Sequence, residues 1–461
     1  MSLEDRLYPL LNLYEAAPQP LKTLAGRAYR LLPTAWRQGR GFEVFAKEAV
    51  ESENWDEAFR SQYQIAAVKD SLLAAARTPF YAQRFKERNL EPKRFESLEQ
   101  LADYPLLTKA EMLSQREEMV NPEVAERQRL YLTTGGSSGV PVGFYLQRGV
   151  SRPKEQAYLE AQWRRRGYRP GEPTAVIRGA VTSRRADGGI SYHDATRNWL
   201  ILSSYHLTPQ RLPEYLSALN RFKPKHLHAY PSAALMLAQL MQDQGVKLEF
   251  SLTSLLCGSE KLSPESQALL ERHFQAPVFH WYGHSERVVL AGQGKTSNHL
   301  YFWPGYGYVE FGVPTADGFC EVIGTSFHNH VMPLIRYRTG DFVKLAEHRD
   351  AEYAMVEVEA VVGREYEFLI SAKGRRISLT AINMHDRIFD GLLAVQFFQE
   401  QEGRVEFRYQ PGPQWQPNRV DALSRGLLAK LGDDFQLVLT AVDEVEKTSS
   451  GKHRWLVTTL S

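Results

Sequence analysis

Cysteine is nearly absent from this chain: only Cys257 and Cys320 occur among 461 residues. Two cysteines cannot build a disulfide framework or a cysteine-rich zinc site. Because no motif links either one to a base, both are expected to be small buried apolar residues. This cysteine usage predicts a protein of the cytoplasm.

Long apolar runs and an excess of one charge are also missing. No stretch of about 18 apolar residues occurs, and the segment Met1 to Leu7 carries acids where a secretory signal would begin with basic residues. No membrane span is therefore expected. The 56 basic and 54 acidic residues give a formal net charge of +2, which is too balanced for a general nucleic-acid binder.

Residues 21–40 interleave apolar side chains with five basic ones, a pattern typical of an amphipathic helix. Pro33 interrupts that helix. A helix with a solvated basic face is the favoured interpretation. Peripheral contact with an anionic membrane surface is the alternative.

The middle of the chain alternates short β-branched segments with helical ones, which predicts an α/β sheet protein. Helical spacing from Trp55 to Asn89 should break at Pro79, which cannot continue a helix. Further along, strands are expected at 174–177, 252–257 and 277–281, and helices at 233–241 and 265–274. From 301 to 344 short strands and turns, among them 320–324 and 341–344, indicate a β-rich subdomain.

The chain is too long for one core, so at least two domains are expected. The pattern changes near Gly363, and the boundary is placed there. Residues 1–362 are predicted to form a large nucleotide- and acid-binding domain of mixed sheets and helices. Residues 363–461 are predicted to form a small mobile α+β lid, with strands at 367–370 and 405–409 and helices near 379–389 and 419–431.

A glycine- and hydroxyl-rich loop directly follows a predicted strand at Tyr131–Pro141. Its glycines allow backbone conformations that other residues resist, and its hydroxyls offer donors to phosphate oxygens. This composition predicts an anion-binding loop for a nucleotide. The residues concerned are Thr133, Thr134, Gly135, Gly136, Ser137, Ser138 and Gly139.

Two other segments match known phosphate-binding motifs only in part. Val289–Thr296 nearly spells a P-loop, but valine replaces the first glycine. Gly305–Gly312 lacks the third glycine that a dinucleotide-binding fold requires. A P-loop enzyme and a dinucleotide-binding fold are therefore rejected.

Five further segments follow the glycine-rich loop in a fixed order: Gly258–Glu260, Tyr282–Glu286, Arg336–Asp341, Val362–Arg364 with Gly374–Ile377, and Ser449–Arg454. With this ordered set the chain resembles the adenylate-forming superfamily of acyl-CoA synthetases. Within it the chain is similar to the phenylacetate-CoA ligase-like branch, which includes members from capsular polysaccharide clusters. The resemblance extends from about Leu72 to Trp455.

That resemblance implies ATP, Mg²⁺ and CoA as ligands, and it assigns a role to each motif. The glycine-rich loop would hold the β- and γ-phosphates, and Glu286 would hold the magnesium ion. Tyr282 would stack on adenine, and Asp341 would accept the ribose hydroxyls. The remaining nucleotide-binding positions are Gly258, Ser259, Glu260, Gly283, His284 and Ser285.

The predicted lid supplies three more residues by the same resemblance. Lys452 would enter the cleft and bridge the carboxylate and the α-phosphate. Arg364 would contact the ribose or a phosphate at the hinge. Gly374 would line a tunnel for the pantetheine thiol once the lid rotates.

The chain departs from the superfamily pattern at two points. Val140 stands where a lysine commonly follows the loop, and Glu365–Glu367 replaces the usual acidic pair at the hinge. His280 and His284 flank the stacking tyrosine. Both are expected to be packed or substrate-facing rather than metal ligands.

The acid pocket is expected to draw on residues 228–232, 254–260 and 279–281, which suit an aryl or small polar acid. Transfer of the acyl group to CoA is the favoured outcome. Transfer to an amine, a hydroxyl or a carrier protein, for example in surface polysaccharide biosynthesis, is the alternative. A protein that keeps the fold and binds ATP without catalysis is the third hypothesis.

Overall fold

The fold is taken from a computed structural model that describes most of the chain. The described residues are 19–133, 142–179, 189–315, 318–346, 352–362, 368–379, 382, 389, 391–412, 415–446 and 455–460. The helices are α1 (Gln19–Leu31), α2 (Thr34–Gln38), α3 (Arg40–Ser52), α4 (Glu57–Ala75), α5 (Pro79–Glu87), α6 (Lys109–Ser114), α7 (Ser151–Trp163), α8 (Leu212–Phe222), α9 (Pro231–Asp243), α10 (Pro264–Phe274) and α11 (Val420–Leu431).

The strands of the first two thirds of the chain are β1 (Arg129–Thr133), β2 (Gly143–Gln147), β3 (Thr174–Ile177), β4 (Ser191–Asp194), β5 (Trp199–Leu202), β6 (His226–Ala229), β7 (Ser254–Gly258), β8 (Val278–Gly283), β9 (Leu290–Gln293) and β10 (Leu300–Phe302). Those of the last third are β11 (Gly307–Phe311), β12 (Phe319–Ser326), β13 (Tyr337–Leu345), β14 (Val356–Val362), β15 (Phe368–Ile370), β16 (Arg376–Ser378), β17 (Leu392–Gln401), β18 (Arg404–Pro411), β19 (Gln436–Ala441) and β20 (Leu456–Thr458).

One sheet of twelve strands organises the large part of the molecule. Its order is β11-β12-β13-β14-β10-β9-β8-β7-β6-β3-β5-β4. The strands β5, β3, β6, β7 and β8 are parallel neighbours. From β8 to β11 every neighbouring pair is antiparallel. The predicted β-rich region is therefore present, but it continues the parallel sheet instead of standing apart from it.

Local sequence signals explain where the helices around this sheet begin. Asp56 caps α4 by accepting a hydrogen bond from the backbone of Phe59. Thr78 caps α5 in the same way, and Pro79 occupies the first turn, where its missing N–H costs nothing. The predicted break at Pro79 is thus confirmed. Pro33 likewise separates α1 from α2.

The parallel strands are buried because helices cover them. All four residues of β3 and all four of β6 are buried, as is usual for strands of a parallel sheet with both faces covered. A core cluster joins these strands to α8, α9 and α10 through residues such as Leu219, Leu237 and Leu270. The carboxyl ends of the parallel strands lie along one edge of the sheet.

A small α+β unit follows the large sheet. Its four-stranded sheet has the order β19-β18-β17-β20, and α11 packs on it through Leu423, Leu427 and Leu431. The hairpin β15–β16 joins the same core. This α+β composition agrees with the fold predicted for the lid. Its mobility and the boundary at residue 363 remain predictions.

Most of the predicted elements are present with bounds shifted by at most four residues. The predicted helix at 379–389 lies almost wholly outside the described residues. Cys257 and Cys320 are both buried and unpaired with each other, as expected. The P-loop-like segment runs through β9, an antiparallel strand, and not into a helix.

Within the described chain no helix has the length and hydrophobicity that a bilayer crossing needs. A cytoplasmic location stays a prediction.

Candidate active site

The predicted site residues gather at the carboxyl ends of the parallel strands, where open α/β sheets bind ligands. Ser259 and Glu260 follow β7, and His284 follows β8. Tyr230 follows β6, and Arg178 follows β3. Four neighbouring strand ends therefore present polar side chains to one edge of the sheet.

Two tyrosine–carboxylate pairs form one side of this edge. The Tyr282 hydroxyl donates to Oδ2 of Asp341 over 2.9 Å, although the residues are 59 positions apart in sequence. The Tyr337 hydroxyl donates to Oε1 of Glu286 over 2.8 Å. The fold thus brings together the residues predicted for adenine, ribose and magnesium. These pairs are called the carboxylate side below.

Burial keeps both phenols protonated. Desolvation, followed by the negative charge of Asp341, raises the pKa of Tyr282 well above its ordinary value. Desolvation and then the charge of Glu286 do the same to the pKa of Tyr337. Each phenol is therefore a fixed donor that orients one carboxylate oxygen.

A magnesium ion suits the surroundings of Glu286. The side chain is buried, and its Oε2 lies 3.8 Å from Nδ1 of His284. Both ring nitrogens of His284 are buried without a hydrogen-bond partner among the described residues. Within the described ranges no group of three potential metal ligands occurs. One carboxylate is nevertheless sufficient, because Mg²⁺ is commonly held by one or two carboxylates together with substrate phosphates.

The segment Gly258–Glu260 lies at the end of β7, next to β8. A Cβ on Gly258 would lie 2.3 Å from the indole of Trp281, so only glycine fits against that ring. The carboxylate of Glu260 accepts hydrogen bonds from the backbone N–H and the hydroxyl of Ser232, at 2.9 and 3.0 Å. Nε2 of His280 lies 2.9 Å from the Glu260 carbonyl. Glu260 therefore anchors the segment to the first turn of α9.

Arg178 forms the other side of the edge, and it was not among the residues singled out from the sequence. Its Nη1 donates to Nε2 of His228 over 2.8 Å, and its Nη2 donates to the Ser259 hydroxyl over 2.5 Å. The guanidinium lies over the rings of Tyr230 and Trp281, 4.7 and 5.9 Å from their centroids. These residues are called the guanidinium side below. A charged residue directly after a buried β-branched strand was the available signal.

In this arrangement His228 has an unusual pKa and Ser259 has an unusual backbone conformation. Burial, reinforced by the charges of Arg178 and Arg197, lowers the pKa of His228 well below its ordinary value. The neutral ring then accepts from Arg178 through Nε2 and carries its proton on Nδ1. Ser259 has a φ of 70°, a left-handed conformation that serine rarely adopts. In this conformation the Ser259 hydroxyl accepts the hydrogen bond from Nη2 of Arg178.

Only some of the other predicted site residues lie within the described part of the chain. Thr133 is buried at the end of β1, and Gly374 is exposed in the turn between β15 and β16. Gly283 and Ser285 lie at the end of β8 beside His284. The residues Thr134, Gly135, Gly136, Ser137, Ser138, Gly139, Arg364 and Lys452 lie outside the described part of the chain. Their predicted roles remain predictions.

The fold is that of the adenylate-forming ligases. A 2-hydroxyisobutyryl-CoA ligase, solved with 2-HIB-AMP and CoA in its thioesterification state, superposes with a TM-score of 0.58 at 18% identity. The match covers 88% of this chain and 91% of that one. The postadenylation state of that ligase with R3-HIB-AMP gives a TM-score of 0.56 at 16% identity, over 93% and 94% of the two chains.

Proteins of similar sequence indicate which branch of these ligases the chain resembles. Protein CapK of Staphylococcus aureus is 22% identical over 82% of this chain and 84% of its own length. The phenylacetate-coenzyme A ligase of Pseudomonas putida is 24% identical over 67% of this chain and 71% of its own. No family model matches the sequence. The predicted resemblance to the phenylacetate-CoA ligase-like branch of the adenylate-forming superfamily is confirmed.

Proposed function

We propose that the protein is an AMP-forming acid–CoA ligase. In the first step an oxygen of the acid's carboxylate attacks the α-phosphorus of ATP, and the bond to the leaving pyrophosphate breaks. In the second step the thiol of CoA attacks the acyl carbon of the adenylate and AMP leaves. Both steps need an ordered nucleotide and neutralisation of negative charge.

The observation that carries the proposal is the pair of oriented carboxylates, Tyr282–Asp341 and Tyr337–Glu286. An ionised carboxylate only accepts hydrogen bonds, so Asp341 is suited to take both hydroxyls of a ribose. Glu286 would hold the magnesium ion, which supplies positive charge to phosphate oxygens. A buried phenol behind each carboxylate fixes its direction before the nucleotide arrives.

Lys452 is assigned on sequence alone to the reacting centre. Lys452, in the sequence Ser-Ser-Gly-Lys, matches the pattern of the superfamily's lid lysine. It would neutralise the charge that builds up between the acid and the α-phosphate. Removal of such a donor typically costs about 2.7 to 4 kcal/mol, or roughly 10²–10³ in rate.

A second acceptor for the acyl group remains a candidate. Protein CapK, which matches over 82% of this chain, does not carry the name of a CoA ligase. An enzyme that passes the acyl group to an amine, a hydroxyl or a carrier protein, as in surface polysaccharide synthesis, would form the same adenylate. The two functions differ only in the second step.

Acid-dependent ATP–pyrophosphate exchange tests the first step. A panel of aryl and small polar acids should include at least one that supports exchange, and the signal should require Mg²⁺. Absence of exchange for every acid, together with measurable ATP binding, would instead fit a protein that binds without catalysis.

The acceptor is tested by adding CoA to the productive acid. Release of AMP in proportion to a new thioester supports the ligase. AMP release only with an added amine, sugar or carrier protein would transfer the assignment to the second candidate. The variant Lys452→Ala should lose most exchange while its melting temperature stays within about 2 °C of the wild type, because the proposal gives this lysine a role in the reaction and none in folding.

A further inference from the structure

The guanidinium of Arg178 is half-buried among neutral groups. It donates to the imidazole of His228 and to the hydroxyl of Ser259, and it lies over the Tyr230 ring. Arginine stays charged under all ordinary conditions. A full positive charge is thus placed at the carboxyl end of β3 without any negative group bonded to it in the described chain.

The nearby carboxylate of Glu260 bonds Ser232, and none of the hydrogen bonds of Arg178 in the described chain goes to it. Glu260 and Arg178 act in opposite directions on the pKa of the Tyr230 phenol, so both charges lie near that ring. The Glu260 carboxylate, however, is held by the backbone and hydroxyl of Ser232. Nε of Arg178 is buried and has no hydrogen-bond partner among the described residues. Because a partly buried cation is costly unless it is paired, this arrangement calls for an anion.

The position of Arg178 separates it from the nucleotide-binding carboxylates. The backbones of β3 and β8 are three strand spacings apart, about 14 Å across the sheet, and the Arg178 side chain spans part of that distance to reach Ser259 after β7 and the Trp281 ring of β8. Neighbouring residues of a strand point to opposite faces of the sheet. Trp281 and Tyr282, which follow each other on β8, accordingly contact different partners. Tyr282 bonds Asp341, whereas Trp281 packs against His228 with ring centroids 5.6 Å apart. Arg178 and Trp281 therefore belong together on the guanidinium side, apart from the Tyr282–Asp341 pair.

We propose that the acid activated by this protein carries a second carboxylate, and that Arg178 binds it as the specificity-determining residue. This inference rests on the proposed function. The reacting carboxylate must reach the nucleotide, so a group bound by Arg178 is at the opposite end of the acid. The rings of Tyr230 and Trp281 flank the body of the molecule. The substrate class is a short or aromatic dicarboxylic acid.

The test uses pairs of acids that match in size and differ in the second carboxylate. Suitable pairs are 4-carboxyphenylacetate with 4-methylphenylacetate, and glutarate with pentanoate. Acid-dependent pyrophosphate exchange is measured for each, and the ratio of kcat/KM within a pair is the readout. For the wild type the dicarboxylate should be favoured by about 10- to 100-fold, the range of a hydrogen bond to a charged group.

Two variants test whether the charge of Arg178 causes that preference. Arg178→Met keeps the length and apolar stem of the side chain but removes its charge, so the ratio should fall to near one. Arg178→Lys keeps the charge and should retain part of the preference. Calorimetric titration of the full-length protein with 4-carboxyphenylacetate in the absence of ATP gives a readout that does not depend on turnover. Binding should weaken by a similar factor in Arg178→Met.

The outcomes separate this inference from the proposed function. Exchange with no acid of either kind would overturn the proposed function itself. Exchange with monocarboxylates and dicarboxylates alike, with a ratio that Arg178→Met leaves unchanged, would overturn the role of Arg178 and leave the ligase intact. A rise of KM for ATP in Arg178→Met, equal for all acids, would assign the guanidinium to the nucleotide and also reject the second carboxylate.

Discussion

The two sides of the sheet edge are built from opposite chemistry. The carboxylate side pairs Glu286 and Asp341 with phenols that donate to them. The guanidinium side pairs Arg178 with an imidazole and a hydroxyl that accept from it. Acceptors on one side suit ribose hydroxyls and a metal ion, and a cation on the other suits an anion. We therefore expect nucleotide and acid to be recognised by separate groups, and changes on each side to affect different kinetic constants.

The largest effect is expected from Glu286→Gln. The amide keeps the size of the side chain and can still accept from Tyr337, but it removes the charge that would hold the metal. Exchange should fall by roughly 10²–10³ for every acid in the panel, the loss typical of removing transition-state charge stabilisation. The melting temperature, measured in parallel, should change little. An acid-selective loss would contradict the division between the two sides.

The sequence was sufficient to predict the sheet class because hydrophobic periodicity and proline positions are local signals. Pro79 and the apolar run from Thr174 to Ile177 each fixed an element that the fold contains. The continuity of the antiparallel strands with the parallel sheet could not be predicted in this way. It depends on pairing such as that of Trp281 with Gly292, which no local pattern encodes.

The site was predictable only where its residues lie in motifs. Tyr282, Glu286 and Asp341 were assigned through segments shared with the superfamily, and their proximity arises from the fold. Tyr337 lies within the Arg336–Asp341 segment but had no assigned role, because its partner is 51 residues away. Arg178 lies in no motif. Its environment is created by residues from four strand ends, so only the assembled sheet reveals a guanidinium with no carboxylate bonded to it in the described part of the chain.

Asp341→Asn should produce the next largest effect. Asparagine keeps an acceptor for Tyr282 but replaces one carboxylate oxygen with a donor, so it cannot accept both ribose hydroxyls. KM for ATP should rise by about 10- to 100-fold, as expected for hydrogen bonds to a charged group. KM for the acid should stay within a factor of two.

Tyr282→Phe is the matched control for that substitution. It keeps the ring predicted to stack on adenine and removes only the hydroxyl that orients Asp341, so KM for ATP should rise less. Parallel increases in KM for the acid and for ATP in Asp341→Asn would show that the two sides do not act separately.

A smaller effect is expected from Tyr337→Phe, which leaves Glu286 in place but without its orienting donor. Residues behind a metal ligand typically contribute 10- to 100-fold to metal affinity. The Mg²⁺ concentration for half-maximal exchange should therefore rise by about 10-fold, with most of the rate recovered at saturation. Titration of exchange against Mg²⁺ measures this shift. An unchanged midpoint would mean that Tyr337 does not support a metal-binding role of Glu286.

The smallest effect concerns the pH dependence of stability on the guanidinium side. In the unfolded chain His228 takes up a proton below about pH 6.5. In the folded chain burial, and then the charges of Arg178 and Arg197, hold its pKa well below that value. The unfolded state therefore binds more protons as the pH falls through 6.5, and the free energy of unfolding decreases by up to about 1.4 kcal/mol per pH unit from this group.

His228→Gln isolates that contribution, because glutamine can still accept from Arg178 but does not titrate. Urea unfolding at pH 7.5 and at pH 5.5 should show a smaller loss of stability for the variant than for the wild type, whereas the difference between the two proteins should be constant above pH 7. Equal losses would mean that His228 becomes protonated in the folded protein. A protonated ring could not accept from Arg178, and the guanidinium would then lack the neutral partner that positions it towards the acid.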